Sequence, residues 1–549
     1  MPFSMPHAAS FEAVNDRDRA GFRPGVHPLS RDRRLELARR IDWRFLLADP
    51  RLGRVSVGGR PDDGLLAALA AATRDEDGPA GVTRVGDGRG QADSVVLSGA
   101  FDPAEFAAAA AAAAPGGRLV VEIDRARVGR TGGPASLAAG IRIMRSLTAG
   151  GWSARTWFAW PHRSGATSWA ATDDRAAVRA LFARRFSTGP LHVAAGLAAG
   201  RVGRRLLEVA APTLTVVAER SGEAPRLWWP RHGPDGDGDT AGLLLLTPRY
   251  RASAHVVALR IDGATGHPDQ VVKISRLPDD QGPAREGAIL ARLAAATPAG
   301  GRWPAVISAA GIANGWPAVS ETTIVGRPLS PDVVRSDPRA AAHRVEALLA
   351  ELPTRPPADR GVPVHERLSR ALAVIRAIAE GPGAELRPLA DRAAAVLADL
   401  DGRELPVVFE HGDPAHPNLI LLEDGRLGAV DWERGEADGL PLHDLSIALA
   451  YISAAERRAT EPRAQATAFS EALQRPDGWA AQALTHAAAR SGIDARLGRA
   501  LVVAAWTRSV AWLATAVEAS TADRKTVDWL MGDRAVALWR ASLAMADAD

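Results

Sequence analysis

Cysteine is absent from this 549-residue chain, and lysine is almost absent from it. Without cysteine the protein can form no disulfide, no thiolate metal site and no cysteine nucleophile. No run approaches the ~18 uncharged apolar residues that a membrane span needs, and the N-terminus has no apolar segment of signal-peptide length. We therefore expect a cytoplasmic protein that has no membrane partner.

Charge is almost balanced along the chain. The sequence has 67 lysine and arginine residues against 64 aspartate and glutamate residues, which gives a formal net charge of +3. No basic stripe with interleaved aromatic residues is visible, so we expect no nucleic-acid partner. With 46% hydrophobic and 24% charged residues, the composition is that of a globular protein of about two to four domains.

Residues 407–433 are the segment that says most about function. Their sequence, VVFEHGDPAHPNLILLEDGRLGAVDWE, contains three apolar strand-like runs with polar residues at their ends. Asp413 and Asn418 lie between the first two runs, and Asp431 ends the third. One carboxylate can position a hydroxyl group and accept its proton, whereas a carboxamide and a second carboxylate are oxygen ligands for Mg²⁺. The alternative is a hairpin with polar turn residues, which the ordered set of matching positions disfavours.

The order His-Gly-Asp-x-x-x-x-Asn, followed by Asp-Trp-Glu, resembles the aminoglycoside phosphotransferase and choline kinase family. The resemblance implies a protein-kinase-like fold, ATP and Mg²⁺ as cofactors, and a hydroxyl group of a small molecule as acceptor. It implies that Asp413 is the catalytic residue and that Asn418 and Asp431 bind the metal. Under the same resemblance, His411 and Asp444 support the loop structurally.

Lysine occurs at only two positions, Lys273 and Lys525. Lys273 stands at the end of the apolar run 271–274, where kinase-like folds place the lysine that binds the ATP α- and β-phosphates. Glu286 is the only glutamate between Lys273 and Glu321, so we expect it to be the helix partner of this lysine. Lys525 is interpreted as a surface residue.

Two further segments are expected to contact the nucleotide under the same resemblance. The phosphate-covering loop, residues 247–254, contains no glycine, and its small residue Ser253 leaves room for the phosphates. Residues 321–329 resemble the linker between the two lobes, where backbone groups at Glu321 and Thr323 would hydrogen-bond the adenine.

The fold class predicted for the whole chain is α/β plus α+β. Residues 1–40 look irregular, residues 41–222 alternate strand and helix patterns, and residues 223–549 hold the bilobal kinase-like domain. The small lobe would span about 241–325 and the large lobe about 331–549. Strands are predicted at 243–246, 254–261, 271–274 and 316–325, and helical patterns dominate beyond residue 331.

The N-terminal alternation predicts a parallel sheet with helices on its faces. Strands are expected at 54–57, 94–98, 118–123 and 155–160, and helices at 63–73, 103–114 and 138–149. The runs 115–122 and 150–152 resemble the class I methyltransferase fold, which implies a Rossmann-like domain. The turn after the first strand, residues 57–63, lacks the Gly-x-Gly spacing of a nucleotide-facing loop. We therefore expect this domain to have no cofactor.

The sequence leaves the acceptor and the oligomeric state open. The acceptor classes considered are aminoglycosides, amino alcohols and sugars. Acidic residues in the C-terminal loops would favour a cation, although surface solvation accounts for them equally well; they are Asp401, Glu404, Glu433, Glu436 and Asp438. Two other functions remain as alternatives, namely a non-catalytic nucleotide-binding pseudokinase scaffold and a methyltransferase with an auxiliary kinase-like domain.

Overall fold

One twelve-stranded sheet runs through both halves of the chain in the computed structural model. The structure describes residues 29–75, 82–87, 90–99, 101–124, 143–160, 166–185, 213–220, 241–248, 253–297, 302–309, 311–312, 315–359, 361–381, 383–515 and 524–547. From one edge to the other, the strands are β11 (Val306–Ser308), β12 (Ala318–Thr322), β10 (Pro268–Ser275), β9 (His255–Ile261), β8 (Gly242–Leu246), β6 (Ser168–Ala171), β5 (Ser153–Trp160), β7 (Thr213–Glu219), β4 (Ala113–Asp124), β3 (Ala92–Ser98), β1 (Val55–Gly59) and β2 (Val82–Arg84).

The N-terminal half supplies seven strands to the described part of this sheet. They are β1 (Val55–Gly59), β2 (Val82–Arg84), β3 (Ala92–Ser98), β4 (Ala113–Asp124), β5 (Ser153–Trp160), β6 (Ser168–Ala171) and β7 (Thr213–Glu219). The helices are α1 (Arg31–Ala38), α2 (Asp63–Asp75), α3 (Pro103–Ala112), α4 (residues 143–149) and α5 (Arg175–Arg185), with a 3-10 helix at Arg39–Leu46. The predicted alternation of strands and helices is thus confirmed, apart from residues 138–142, which lie outside the described residues.

The sheet is mixed, so the prediction of a parallel N-terminal sheet was only partly right. Strands β2, β1, β3 and β4 are parallel neighbours. Strand β7 runs antiparallel between β4 and β5, and β6 is antiparallel to β5. An apolar run reports that a strand is buried but not which way it points, and this is why the sequence pattern missed the reversal. Residues 31–38 were expected to be irregular but form α1, which Ser30 caps by accepting a hydrogen bond from the Arg33 N–H.

The small lobe contributes the remaining strands of the sheet and one long helix. These elements are β8 (Gly242–Leu246), β9 (His255–Ile261), β10 (Pro268–Ser275), α6 (Gly282–Ala296), β11 (Val306–Ser308) and β12 (Ala318–Thr322). All of these strands pair antiparallel. Strand β8 also pairs with β6, with Trp169 opposite Leu245, so the two halves of the chain share backbone hydrogen bonds.

A buried ion pair fastens the segment before β1 to the small lobe. Asp42 and Arg276 are both fully buried and form two hydrogen bonds of 2.9 and 3.0 Å. Arg276 also donates to the backbone oxygen of Ser253 at 3.0 Å. The hydrophobic core is continuous here too, since Val57 and Ile274 belong to one cluster. Removing either member of such a pair leaves an uncompensated buried charge, which typically costs about 3–5 kcal/mol.

Helices dominate the large lobe, as expected. They are α7 (Pro331–Ser336), α8 (Pro338–Ala350), α9 (Val364–Ala379), α10 (Arg387–Leu397), α11 (His443–Arg457), α12 (Pro462–Leu473), α13 (Trp479–Arg490), α14 (Ala495–Thr515), α15 (Arg524–Met531) and α16 (Arg534–Ala546). Short 3-10 helices lie at Pro357–Asp359, Ala384–Leu386, Ala398–Leu400 and Trp432–Arg434. None of the helices in the described ranges is both long and apolar enough to cross a membrane.

Two small antiparallel sheets hold the loops of interest in this lobe. Their strands are β13 (Arg327–Pro328), β14 (Thr354–Arg355), β15 (Val407–Glu410), β16 (Leu419–Leu421), β17 (Leu427–Ala429) and β18 (Glu436–Gly439). In the first sheet, β13-β16-β17, strand β13 follows the linker in the sequence. In the second sheet, β14-β15-β18, strand β15 ends immediately before His411. A single hydrophobic cluster reaches from Ile289 on α6 to Leu543 on α16 and supports both sheets.

Candidate functional site

A buried ammonium group is the centre of the site. Lys273 on β10 is buried, and its Nζ donates to Glu286 Oε1 on α6 and to Asp431 Oδ1 at 2.8 Å. The same Glu286 oxygen accepts the Trp432 N–H at 2.8 Å. The expected pairing of Lys273 with Glu286 is therefore present, and it also anchors the segment that follows Asp431.

Glu321 is a third carboxylate at this centre, at 3.7 Å from the lysine Nζ. The register of β10 and β12 explains the contact, because Lys273 lies opposite Val319 and residues two apart in a strand share a face. Sequence reasoning placed Glu321 in the linker to the adenine. A glutamate two residues after Val319, on the same face of strand 318–322, was the signal that could have indicated a buried partner.

Charge at the centre is not balanced by Lys273 alone. Burial by itself would lower the pKa of Lys273, but Asp431, Glu286 and Glu321 raise that pKa well above its usual value. Burial raises the pKa of Glu321 to about 8 in spite of the nearby ammonium group. Burial would raise the pKa of Asp431, but Lys273 holds it below its usual value. At neutral pH a Glu321 carboxyl group with this pKa is largely protonated, so Glu286 and Asp431 are the carboxylates that face the one ammonium group.

The catalytic-loop segment is held by buried hydrogen bonds. Asp444 on α11 accepts the backbone N–H groups of His411 at 2.6 Å and Gly412 at 2.9 Å. The His411 ring bonds the Val430 oxygen through Nε2 at 2.9 Å and receives the Asp413 N–H on Nδ1 at 3.2 Å. Burial lowers the pKa of His411, so its neutral ring acts as a spacer between two loops. These contacts agree with the structural role predicted for His411 and Asp444.

An arginine that interrupts an apolar helix stabilises the strand before this loop. Arg508 on α14 forms hydrogen bonds of 2.7 and 2.8 Å with Glu410, the last residue of β15, and an ion pair of 3.0 Å with Glu436. Burial would raise the pKa of Glu410, but Arg508 lowers it to about 2. The pair therefore keeps two charges satisfied beneath the loop that presents Asp413.

Asp413, Asn418 and Asp431 line one cavity of about 700 Å³, whose lining residues all belong to the large lobe. The Asn418 amide nitrogen donates to the Asp413 backbone oxygen at 3.1 Å, which leaves the amide oxygen as an acceptor. Asp431 has a left-handed backbone conformation with φ of 71°, and such strain in a non-glycine residue is typical of functional sites. The structure thus brings together three of the predicted site residues beside Lys273.

None of the five predicted nucleotide contacts lines that cavity; they are Lys273, Glu286, Ser253, Glu321 and Thr323. The Ser253 hydroxyl lies 3.3 Å from the His255 oxygen and 3.2 Å from the Arg276 guanidinium. The Glu321 carboxylate faces Lys273, and the Thr323 hydroxyl donates to the Pro268 oxygen at 3.0 Å. Residues 249–252 of the predicted phosphate-covering loop lie outside the described residues. The nucleotide-binding roles of Ser253, Glu321 and Thr323 stay predictions.

Arg434 is a cavity residue that sequence reasoning did not identify. Its guanidinium lies 3.4 Å from the ring centroid of Trp512 and 3.5 Å from Asp413 Oδ2. Arg534, at the start of α16, is 4.0 Å from Asp413 Oδ1. No local pattern predicts these contacts, because the residues come from separate elements that meet only in the folded lobe.

His255 is a second residue that the sequence did not single out. At the start of β9, its ring lies 3.2 Å from Asp280 and 3.2 Å from Glu433, which lines the cavity. Burial would lower the pKa of His255, but the two carboxylates raise it to about 9. The protonated ring therefore links the small lobe to the segment after Asp431.

In the N-terminal half, an arginine covers the place where a Rossmann-like fold would bind its ligand. Arg40 contacts Glu122 at 2.9 Å and Asp62 at 3.0 Å, near the carboxyl ends of β4 and β1. Glu122 is fully buried and accepts the Ser98 hydroxyl at 2.7 Å. The glycine turn after β1 is tight, with Gly59 at φ of 76°.

Residues 251–520, about half of the chain, match the sequence model described as the phosphotransferase enzyme family. A comparison with curated proteins gives no match. Among solved structures, the chain is similar to a choline kinase from Streptococcus pneumoniae, with 10% identity, coverage of 56% of this chain and 93% of that chain, and a TM-score of 0.35.

Two further solved structures are similar. They are an ethanolamine kinase from Plasmodium vivax (9% identity, 56% of this chain, 83% of that chain, TM-score 0.35) and an aminoglycoside phosphotransferase from Streptomyces rimosus (20%, 52%, 90% and 0.29). At these TM-scores the structural similarities support no conclusion about function. Conclusions about function rest on the family match and on the geometry of the site.

The link made by His255 predicts a pH-dependent stability. Its folded pKa of about 9 lies above the ordinary value of 6.5, so its stabilisation is complete below pH 6.5 and is lost as the pH rises through 9. Over that window we expect the free energy of unfolding to fall by roughly 2–4 kcal/mol more in the wild type than in His255→Gln. Urea denaturation of both proteins at the two pH values measures this difference.

His267→Gln, in the exposed turn between β9 and β10, is the matched control and should behave like the wild type. Equal losses of stability in the wild type and His255→Gln would show that the ion pairs of His255 do not hold the lobes together.

Proposed function

We propose that the C-terminal half of the chain, which matches the phosphotransferase enzyme family over residues 251–520, moves the γ-phosphoryl group of ATP to a hydroxyl group of a small polar molecule. The observation that carries this proposal is that Asp413, Asn418 and Asp431 line one cavity while Lys273 donates a hydrogen bond of 2.8 Å to Asp431. Phosphoryl transfer requires positioning and charge neutralisation more than covalent chemistry by the protein. A cationic side chain beside oxygen ligands and a carboxylate meets both requirements.

Lys273 is proposed to bind the α- and β-phosphates of the nucleotide. Its ammonium group is held in place by Glu286, so it is oriented before any ligand arrives. A lysine provides a compact point charge on a flexible stem, which arginine cannot reproduce. The retention of lysine at this position, in a chain with only two lysines among 67 basic residues, supports this role.

Asn418 and Asp431 are proposed to hold Mg²⁺. The buried oxygen Glu286 Oε2 has no hydrogen-bond partner among the described residues, and an unpartnered carboxylate oxygen near Asp431 favours a cation in this region. Among the residues that the structure describes, no group of three or more histidine, aspartate or glutamate side chains is arranged to hold a metal ion. Mg²⁺ commonly binds through one or two carboxylates and completes its shell with water and phosphate oxygens. Bound there, the ion would neutralise charge on the phosphates.

Asp413 is proposed to orient the acceptor hydroxyl group and to accept its proton. The carboxylate faces the cavity, and the loop that carries it is fixed by His411 and Asp444. A rigidly held carboxylate contributes through geometry, because a correctly placed acceptor group reacts far faster than a freely diffusing one. The presence of the complete set of residues disfavours the alternative of a non-catalytic pseudokinase.

The N-terminal half is proposed to act as a scaffold without a methyl-donor cofactor. Arg40 and its partners Glu122 and Asp62 fill the carboxyl end of the parallel strands. A cofactor there would have to displace a half-buried arginine from its ion pair with the fully buried Glu122, and breaking such a pair is costly. This argument disfavours the alternative of a methyltransferase with an auxiliary kinase-like domain.

The first prediction concerns the division of labour between Asp413 and Lys273. We expect Asp413→Asn to lower turnover by roughly 10²–10⁴-fold, because it removes the proton acceptor, and to leave ATP affinity unchanged. Lys273→Met should weaken ATP binding and lower turnover together. Phosphorus NMR of ADP formation with aminoglycosides, amino alcohols and sugars, combined with calorimetry of Mg·ATP binding, measures both quantities.

Asp424→Asn, in the exposed turn between β16 and β17, is the matched control and should leave both quantities unchanged. Near-normal turnover of Asp413→Asn with an identified acceptor would remove Asp413 from the mechanism.

The second prediction is that the full-length protein does not bind S-adenosylmethionine. The full chain is required because β6 and β8 share a sheet, so residues 41–222 alone would expose a strand edge. Calorimetry should give no heat of binding, while a Mg·ATP titration of the same sample shows that the protein is folded. Micromolar affinity for S-adenosylmethionine would contradict the scaffold proposal.

A further inference from the structure

The acceptor side of the cavity is rich in arginine. Four arginines line it, on different elements of the large lobe: Arg335, Arg434, Arg458 and Arg534. The acidic residues that line it are Asp413, Asp431, Glu433 and Asp533. Which of these charges already have partners decides what kind of molecule the cavity can accept.

Most of the acidic groups are engaged with other parts of the protein. Asp431 pairs with Lys273 at 2.8 Å, and Glu433 pairs with His255 at 3.2 Å. Asp533 caps α16 by accepting the Ala535 N–H at 2.8 Å. Asp413 therefore remains as the carboxylate that faces the acceptor.

The arginines are less fully matched than the acids. Arg335 pairs with Asp332 on its own helix, but Arg434 and Arg534 both point to Asp413, at 3.5 and 4.0 Å. The exposed Arg458 side chain, at the end of α11, forms no ion pair with any residue that the structure describes. Arg434 and Arg534 thus share Asp413, the carboxylate that the proposed mechanism assigns to the acceptor hydroxyl group.

An aromatic ring fixes the position of the Arg434 guanidinium and does not neutralise its charge. The face of Trp512 supports its guanidinium at 3.4 Å, an interaction that orients a cation and leaves its N–H groups available. A planar guanidinium in a fixed orientation binds a carboxylate or phosphate through paired hydrogen bonds. Tyr451, Trp506 and Trp529 give the same cavity an aromatic wall.

The acidic residues that suggested a cationic acceptor lie elsewhere, apart from Glu433. Glu436 pairs with Arg508 at 3.0 Å, and Asp438 pairs with Arg355. Asp401 and Glu404 are exposed and do not line the cavity. A polycationic acceptor would therefore meet Arg434, Arg458 and Arg534 on entering the site, with Asp413 as the carboxylate that is not engaged elsewhere.

We propose that the acceptor is an anionic hydroxyl compound whose carboxylate or phosphate group is bound by Arg434, Arg458 and Arg534. This inference rests on the proposed function, since it assigns the acceptor to the cavity that Asp413 faces. An anion bound by Arg434 and Arg534 would replace Asp413 as their ion-pair partner. The Asp413 carboxylate would then be available to the hydroxyl group.

Four ring compounds that differ in one substituent test the proposal. They are para-(hydroxymethyl)benzoate, para-(hydroxymethyl)phenyl phosphate, para-(hydroxymethyl)benzamide and para-(hydroxymethyl)benzylamine. Calorimetry on the full-length protein should give a dissociation constant at least about tenfold lower for one or both anions than for the neutral amide, the benzylamine or kanamycin. The relative affinity of the carboxylate and the phosphate identifies which anion the arginines prefer.

Single variants locate the effect. Arg458→Gln and Arg534→Gln, both at exposed positions, should each weaken binding of the preferred anion by about tenfold and leave binding of the amide unchanged. Arg457→Gln is the matched control, because Arg457 is the neighbour of Arg458, pairs with Glu471 and does not line the cavity. An equal loss in Arg457→Gln would mean that the effect is non-specific and would overturn the assignment.

The proposal is overturned if the benzylamine or kanamycin binds more tightly than both anions, or if neither anion binds. A parallel titration with Mg·ATP separates the two levels of the argument. Loss of nucleotide binding with anion preference intact contradicts the phosphotransferase proposal, whereas normal nucleotide binding without anion preference contradicts only the assignment of the acceptor.

Discussion

The buried ammonium group of Lys273 is the interaction on which the site depends. It joins β10 to α6 through Glu286, to β12 through Glu321, and to the end of the third apolar run through Asp431. Burying Glu286 or Asp431 alone would be costly, and the ammonium group of Lys273 offsets that cost for both. Lys273 thereby links strand β10 and helix α6 to Asp431, which lines the cavity.

The N-terminal half supports the same arrangement from behind. Strand β6 extends the small-lobe sheet, and the buried pair of Asp42 and Arg276 fixes the turn that follows β10. Arg276 is three residues beyond Lys273, so its fixation limits how far the end of β10 can move. Twelve strands in one sheet give the small lobe a larger and stiffer base than its own five strands would provide.

The sequence allowed the local parts of the site to be predicted, because each depends on residues close together in the chain. The loop with Asp413 and Asn418 could be found from spacing, and Lys273 from the scarcity of lysine. The contacts of His255, Arg434 and Arg40 could not be found in this way, since each joins elements far apart in sequence. Strand direction was missed for the related reason that an apolar run has no polarity. The proposal of an anionic acceptor rests on such long-range contacts, whereas the acidic loop residues left a cationic acceptor and surface solvation equally open.

A crystal structure of the full-length protein with Mg²⁺ and a non-hydrolysable ATP analogue would show directly whether Asn418 and Asp431 bind the metal and Lys273 binds the phosphates. The account predicts a metal ion at about 2.0–2.1 Å from oxygens of Asn418 and Asp431 and of the phosphates, and Lys273 within hydrogen-bond distance of the α- or β-phosphate. The γ-phosphate should then lie beside Asp413 in the cavity that Arg434 borders. A nucleotide bound elsewhere, or one bound without contact to Lys273 and Asp431, would contradict the claim.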